Sequence, residues 1–174
     1  DYQWHTFYGS ISSTYSDGAF GIAVDSSNGV YVAGTSSADW GITPVHIYSG
    51  GQDIVILKLD SDGAYQWHTF HGWSGNEFGH AIAVDTGGVY ITGESYEAWN
   101  GTGTCIVAGT PPCPRHAFSP GINMFALKLN SSGVYQWHTF YGSGGTVTAE
   151  AIALDSDHNM YVAGTSSATW NGSS

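Results

Sequence analysis

The chain is poor in charged residues, and positive charge is almost absent. Asp, Glu, Lys and Arg make up 10% of its 174 residues, against about 25% in ordinary globular proteins. Apart from histidines, its cations are Lys58, Lys128 and Arg115, and the net charge is −11. Nucleic acids and anionic membrane surfaces are bound through clustered basic side chains. The composition therefore excludes both as partners.

Long hydrophobic runs are missing as well. No apolar stretch approaches the roughly 20 residues that a membrane-spanning helix needs, so membrane insertion is not expected. No signal peptide is visible, because the first residues already belong to a repeat. We expect the chain to be mature or a segment of a longer one.

Cysteine is scarce, with Cys105 and Cys113 alone in the stretch CIVAGTPPC. Two thiols make a poor metal-binding set, so a short-range disulfide is the better interpretation. A disulfide indicates an oxidising compartment, and the Ser/Thr/Gly-rich composition agrees with an extracellular or cell-surface location. Sequons compatible with N-glycosylation begin at Asn100, Asn130 and Asn171.

The sequence does contain a repeat. The hexapeptide YQWHTF occurs at 2–7, 65–70 and 135–140, and the stretches between its copies also correspond in order. Each unit has four short segments rich in Val, Ile, Tyr, Phe and Trp, typified by AIAVD, VYVAGTSS, DIVILKL and YQWHTF, which we call strands A, B, C and D. Turns such as DSSNG and DSDG predict antiparallel hairpins between them. Repeated four-stranded units predict an all-β protein built of β-propeller blades.

The order AIAVD, VYVAGTSS, GGQDIVILKLDSDG and YQWHTFYG resembles the bacterial seven-bladed β-propeller repeat family, which occurs in large extracellular and surface proteins. The resemblance covers nearly the whole chain and implies the fold and the habitat. It implies no catalytic residues. The second unit departs from the pattern in its enlarged B–C connection and its cysteine pair.

The repeat predicts about two and a half blades. The predicted divisions are an outer strand of a preceding blade (1–9), blade 1 (10–72), blade 2 (73–142) with an enlarged, disulfide-bonded loop (95–121), and the first two strands of an incomplete blade 3 (143–174). Closed propellers need at least about four blades. We therefore expect either a segment of a longer repeat chain or a protomer whose open ends are completed by other copies.

The identical histidines of the motif raise the alternative of a three-histidine zinc site. Equivalent residues on outer strands point apart, however, so packing between blades is the favoured role. The same role is predicted for the neighbouring aromatic residues of each copy. The predicted inter-blade residues are Trp4, His5, Phe7, Trp67, His68, Phe70, Trp137, His138 and Phe140.

Acidic residues recur where strand A ends, at Asp25, Asp85 and Asp155. A carboxylate that accepts backbone hydrogen bonds in its own turn explains them best. Calcium binding there, or at the turn 60–63, is the alternative. No arrangement of catalytic side chains can be assembled with any specificity, so we expect neither a catalytic site nor a cofactor.

Three further tryptophans, Trp40, Trp99 and Trp170, open the B–C connections. Each could fold its loop onto its own blade, or contact a protein or a sugar from an exposed position. The sequence thus favours a non-catalytic extracellular propeller segment with a structural, adhesive or self-assembling role, whose partners are other copies, other blades, surface proteins or glycans. A lectin-like carbohydrate binder is the alternative, and an enzyme with a site over the channel is more remote.

Overall fold

The protein is all-β in a computed structural model, which describes residues 3–101 and 112–169. Sheet 1 has the strand order β1 (Asp17–Val24), β2 (Val30–Ser36), β3 (Asp53–Leu59) and β4 (Tyr65–His71). Sheet 2 has the order β5 (Glu77–Asp85), β6 (Gly88–Ser95), β7 (Asn123–Leu129) and β8 (Tyr135–Tyr141). Sheet 3 pairs β9 (Val147–Leu154) with β10 (Met160–Ser166).

All strand pairs within the sheets are antiparallel. Two sheets of four strands and one of two are consistent with partial propeller blades, and the predicted fold class is confirmed. Within the described ranges there is no helix long and apolar enough to cross a membrane.

Short polar turns close the hairpins as their sequences predict. Asp60 Oδ1 accepts hydrogen bonds from the backbone N–H groups of Asp62 (3.0 Å) and Ala64 (2.9 Å). Between β7 and β8, Asn130 Oδ1 likewise accepts hydrogen bonds from the backbone N–H groups of Ser132 and Val134. These side chains replace the missing ladder bonds of the turn, so Asp and Asn are interchangeable there.

A β-bulge recurs in the first hairpin of every sheet and explains the glycine of VYVAGTSS. The register shifts beside Phe20 in β1, beside His80 in β5, and at the corresponding point of the β9–β10 pair. Gly34 of β2 lies so near the bulged strand that a Cβ there would overlap the carbonyl oxygen of Gly18. The bulge therefore requires glycine at this position of strand B.

The hydrophobic core lies within and between sheets 1 and 2. Its fully buried members include Ile54, Ile56, Ile91, Phe125, Leu127 and Phe140. The first strands of the sheets lie next to one another, since β5 contacts β1 and β9 contacts β5. Backbone hydrogen bonds also join the sheets: Gln52 N–H donates to Gly75 O (2.9 Å), and Ile122 N–H donates to Gly145 O (3.0 Å). The sheets therefore form one stack with repeated junctions.

The first copy of the hexapeptide differs from the expected outer strand. Residues 3–8 belong to no strand. A strand requires a neighbour that completes its hydrogen-bond ladder, and no segment within 3–101 or 112–169 pairs with residues 3–8. Residues 3–8 thus form no strand in this structure, and the outer strand of a preceding blade at 1–9 stays a prediction.

Candidate functional site

Tryptophans of strand D join one sheet to the next. The indole N–H of Trp67 in β4 donates to the carbonyl oxygen of Ser131 (3.3 Å), in the turn between β7 and β8 of sheet 2. The ring lies against Gly133, where a Cβ would come within 2.9 Å of it. Trp4 makes the same contacts with sheet 1: its indole N–H donates to Ser61 O (3.0 Å), and its ring lies against Gly63. Trp4 and Trp67 thus bind equivalent turns.

The histidines of the motif point to the opposite side of strand D. His68 is buried and stacks on Trp40, with ring centroids 4.4 Å apart. His138 stacks on Trp99 at 4.0 Å, and its Nδ1 lies 2.8 Å from the hydroxyl of Tyr135. Each ring is thus covered first by the B–C connection of its own sheet rather than directly by a neighbouring sheet.

This packing favours the uncharged form of the buried histidines. Burial lowers the pKa of His138 to about 4, and it also lowers the pKa of His68. His71, at the end of β4, is fully buried beside Trp99 of sheet 2, and burial holds its pKa well below the usual range. The described residues contain no group of three or more His, Cys, Asp or Glu side chains that could hold a metal ion.

The tryptophans of the B–C connections therefore differ from exposed contact residues. Trp99 is only 2% exposed, and Trp40 donates its indole N–H to Ser36 Oγ (3.2 Å) while it stacks on His68. Both rings fold their loops onto their own sheets. Trp170 lies outside the described residues, so its contact role stays a prediction.

The disulfide and the sequons also stay predictions. Cys113 is buried, but Cys105 lies outside the described residues. Asn171 lies outside them as well, and glycosylation at Asn100, Asn130 and Asn171 stays a prediction.

The same connections also cover the outer edge of strand D. Val45 N–H donates to His68 O (2.9 Å), and Phe70 N–H donates to His46 O (3.1 Å). In sheet 2, Arg115 N–H donates to His138 O (2.9 Å) in the same manner. An uncovered edge strand can pair with other chains. In β4 and β8 the loop occupies part of that edge.

Two buried carboxyl groups meet at the junction of sheets 1 and 2. Asp53 begins β3, Glu77 begins β5, and both are fully buried. A Cβ on Gly72 would lie 2.6 Å from Asp53 Oδ1 and closer still to Glu77 Oε2, so the two groups flank one α-carbon. Burial raises the pKa of Asp53 to about 6, and burial together with the nearby Asp53 raises the pKa of Glu77 to about 8.

The hydrogen bonds of the pair leave one atom unsatisfied. Asp53 Oδ2 accepts from the N–H and the hydroxyl of Ser49, and Glu77 Oε2 accepts from Trp73 N–H (2.9 Å). Among the described groups, Asp53 Oδ1 has no donor. A protonated Glu77 carboxyl group would supply a hydrogen-bond donor near this atom. We therefore infer that the pair holds a single proton at neutral pH. Sequence reasoning missed this pair.

The next junction has neutral residues in the same places. Asn123 replaces Asp53 and accepts from the N–H of Ser119 (2.9 Å), while the buried Val147 replaces Glu77. The backbone contacts of the two junctions are otherwise alike. The carboxyl pair is therefore not required by the fold, and the difference between the copies was the signal that could have revealed it.

The carboxylates at the end of strand A serve their own turns. Asp25 Oδ1 accepts from the N–H groups of Ser27 and Gly29, both at 2.8 Å, and chiefly the Gly29 bond lowers the pKa of Asp25. Asp155 repeats this arrangement, and its bonds from Asn159 lower its pKa to about 2. Asp85 accepts from Gly87 N–H (2.7 Å). The carboxylates thus stabilise the turns. Calcium binding at these carboxylates stays a prediction.

One end of the stack is open at sheet 3. Strands β10 (MYVAGTS) and β2 (VYVAGTS) differ only at their first residue, yet Tyr161 of β10 is 59% exposed whereas Tyr31 of β2 is 2% exposed. β2 lies between β1 and β3, but β10 pairs with β9 alone in the described chain. β10 thus has one side without a neighbouring strand.

A cleft lies between this open side and sheet 2. It is lined by Arg115, Trp137 and Tyr141 on one side and by Met160 and Val162 on the other. Within residues 3–101 and 112–169, no strand C–strand D turn lies against Trp137, the third tryptophan of the motif. The Arg115 guanidinium instead lies 4.2 Å from the centre of its ring.

The opposite end of the stack is also partly open. A cleft between residues 3–8 and sheet 1 is lined by apolar side chains that include Ile22, Val55 and Leu57. His5 and Phe7 are exposed, Phe7 to 89%. The described chain contains no sheet that covers these two residues, so their inter-blade packing stays a prediction. Trp4 of this copy packs on sheet 1.

The comparisons with known proteins give one distant relative. The chain matches no protein-family model. It is similar to an uncharacterized WD repeat-containing protein of Acanthamoeba polyphaga mimivirus, with 25% identity over 167 residues. The match covers 82% of this chain but 12% of the relative, so the chain spans about an eighth of that protein's length. The likeness is to a repeat protein and agrees with a β-propeller-like architecture.

Proposed function

We propose that the chain is a non-catalytic β-propeller repeat segment that acts through protein–protein contacts, in a structural, adhesive or self-assembling role outside the cell or on its surface. The observation that carries the proposal is the open side of β10, with the cleft beside Trp137. Unpaired strand edges and exposed apolar clefts are surfaces that other polypeptide segments bind. The resemblance to the bacterial seven-bladed repeat family supports the extracellular setting, and the WD repeat relative supports the propeller type.

The mass of the native particle tests this proposal. Light scattering of the purified chain, with denaturing mass spectrometry to confirm 18.4 kDa per chain, reports whether copies associate. We expect discrete or filamentous assemblies that grow with protein concentration. A particle that remains at the mass of one chain over the whole accessible concentration range would contradict self-assembly.

The lectin-like alternative has less support from the structure. It relied on exposed loop tryptophans, whereas Trp99 is buried and Trp40 is stacked on His68. Sugar rings require an accessible aromatic face. We therefore expect no binding on a glycan array, and specific binding that Trp40→Ala abolishes would favour the lectin role instead.

A further inference from the structure

We propose that the open side of β10 and the cleft at Trp137 bind a β-hairpin of this same repeat: a strand like β3, a turn of Asp or Asn, Ser, any residue and Gly, and a strand like β4. The inference deepens the proposed function, on which it rests, by naming the chemistry of the partner.

The near-identical sequences of β10 and β2 indicate which strand of the hairpin would pair with β10. In sheet 1, β2 pairs with β3 so that Val30 is opposite Leu59 and Ser36 is opposite Asp53. β10 presents the same sequence from its second residue onward and the same bulged partner. A strand of the DIVILKL type therefore fits it in the same register, with its leucine opposite Met160 and its aspartate opposite Ser166.

The turn of the hairpin is identified by the tryptophans. Trp4 and Trp67 each donate to the serine carbonyl of a strand C–strand D turn and lie against the glycine of that turn. Trp137 stands in an identical hexapeptide on β8, and its cleft continues to β10. A hairpin paired with β10 brings its turn to Trp137, as the β7–β8 turn meets Trp67.

Charge favours an acidic turn. Arg115 lines the cleft beside Trp137, whereas the corresponding residue of the first unit is Val45. The turn of the β3–β4 hairpin carries the carboxylates of Asp60 and Asp62, and the β7–β8 turn carries none. Opposite charges across an interface favour the acidic version.

The test is a titration of the full chain against a fluorescein-labelled peptide with the sequence of residues 51–72, followed by fluorescence anisotropy. We expect saturable binding that Trp137→Ala weakens by about tenfold or more, as for a central interface aromatic residue. His5→Ala is the matched control, because His5 lies in the first copy of the hexapeptide, at the other end of the stack. This substitution should leave the affinity unchanged. Hydrogen exchange should show new protection of the amides at 160–166.

Two further peptides examine the turn and the strand. The peptide 121–142, which has the neutral turn, should bind about threefold more weakly, and high salt or Arg115→Gln should remove that difference. Equal affinities of both peptides for the wild-type chain would overturn the assigned position of the turn. A peptide of strand residues 53–59 alone that binds as tightly as the hairpin would overturn the hairpin itself.

The outcomes are separate from those of the proposed function. Absence of binding, or binding that Trp137→Ala leaves unchanged, overturns the hairpin proposal even if the chain assembles. A chain that stays monomeric but binds the hairpin at β10 supports this inference and contradicts self-assembly. Particle mass and peptide affinity are therefore measured on the same preparation.

Discussion

The buried carboxyl pair should make the protein less stable as the pH rises from 6.5 to 8.5. The pKa values of Asp53 and Glu77 are raised to about 6 and about 8 in the folded state, so the folded protein binds protons that the unfolded chain has already released. Stability from such groups is fully present below their unfolded pKa values and is lost up to the folded pKa. For Glu77 that window extends to about pH 8.

The magnitude follows from the proton held by Glu77. Each pH unit over which the folded state binds one extra proton costs about 1.4 kcal/mol of unfolding free energy. Between pH 6.5 and 8.5 the pair should therefore cost about 2 kcal/mol. Histidines with lowered pKa values, such as His138 at about 4, act in the opposite sense, chiefly below their unfolded pKa near 6.5. Their contribution is the same with and without the carboxyl pair.

The matched variant copies the neutral junction: Asp53→Asn combined with Glu77→Val reproduces Asn123 and Val147. Urea unfolding followed by tryptophan fluorescence at pH 6.5, 7.5 and 8.5 gives the free energies for both proteins. Over this range the wild type should lose about 2 kcal/mol relative to the variant. The reasoning is refuted if the free energies of unfolding of the two proteins change equally with pH.

Two other predictions use the repeat as its own control. His138→Ala should lower the unfolding free energy by about 2–4 kcal/mol, since it opens a cavity and removes the hydrogen bonds of His138 with the Tyr135 hydroxyl and the Trp99 carbonyl oxygen. The exposed His5→Ala should change it by less than about 0.5 kcal/mol, and equal effects in thermal unfolding would argue against the packing described. Gly133→Ala should destabilise more than Gly144→Ala, although both have positive φ (79° and 81°), because only Gly133 faces an aromatic ring, that of Trp67 at 2.9 Å; similar losses for both would show that backbone strain alone matters.

The repeat in the sequence was sufficient to predict the class of fold and the order of strands, because turn residues and β-branched segments recur at fixed positions. Because successive side chains of a strand alternate in direction, Trp67 and His68 are also expected on opposite sides of strand D. The repeat did not predict what covers each side. His68 is covered by Trp40 from a loop whose path the repeat does not constrain.

Burial was the property that the sequence could not supply. His5 and His138 have identical neighbours in the chain, but one is exposed and the other is fully buried. The difference comes from Trp99 and its B–C connection, which cover His138 through a tertiary contact. The carboxyl pair is similar: Asp53 and Glu77 are 24 positions apart in sequence and become partners only when the sheets stack.

The loop that covers the outer edge of β4 and β8 gives growth of such a stack a direction. Sideways pairing at the rim is hindered at the positions where Val45 and Arg115 already donate to strand D, whereas β10 has one side without a partner strand in the described chain. Added strands would therefore widen sheet 3 towards the width of sheets 1 and 2, while the complete sheets are hindered from widening further. The loops thereby act as a geometric guide that separates orderly extension from indiscriminate edge-to-edge aggregation.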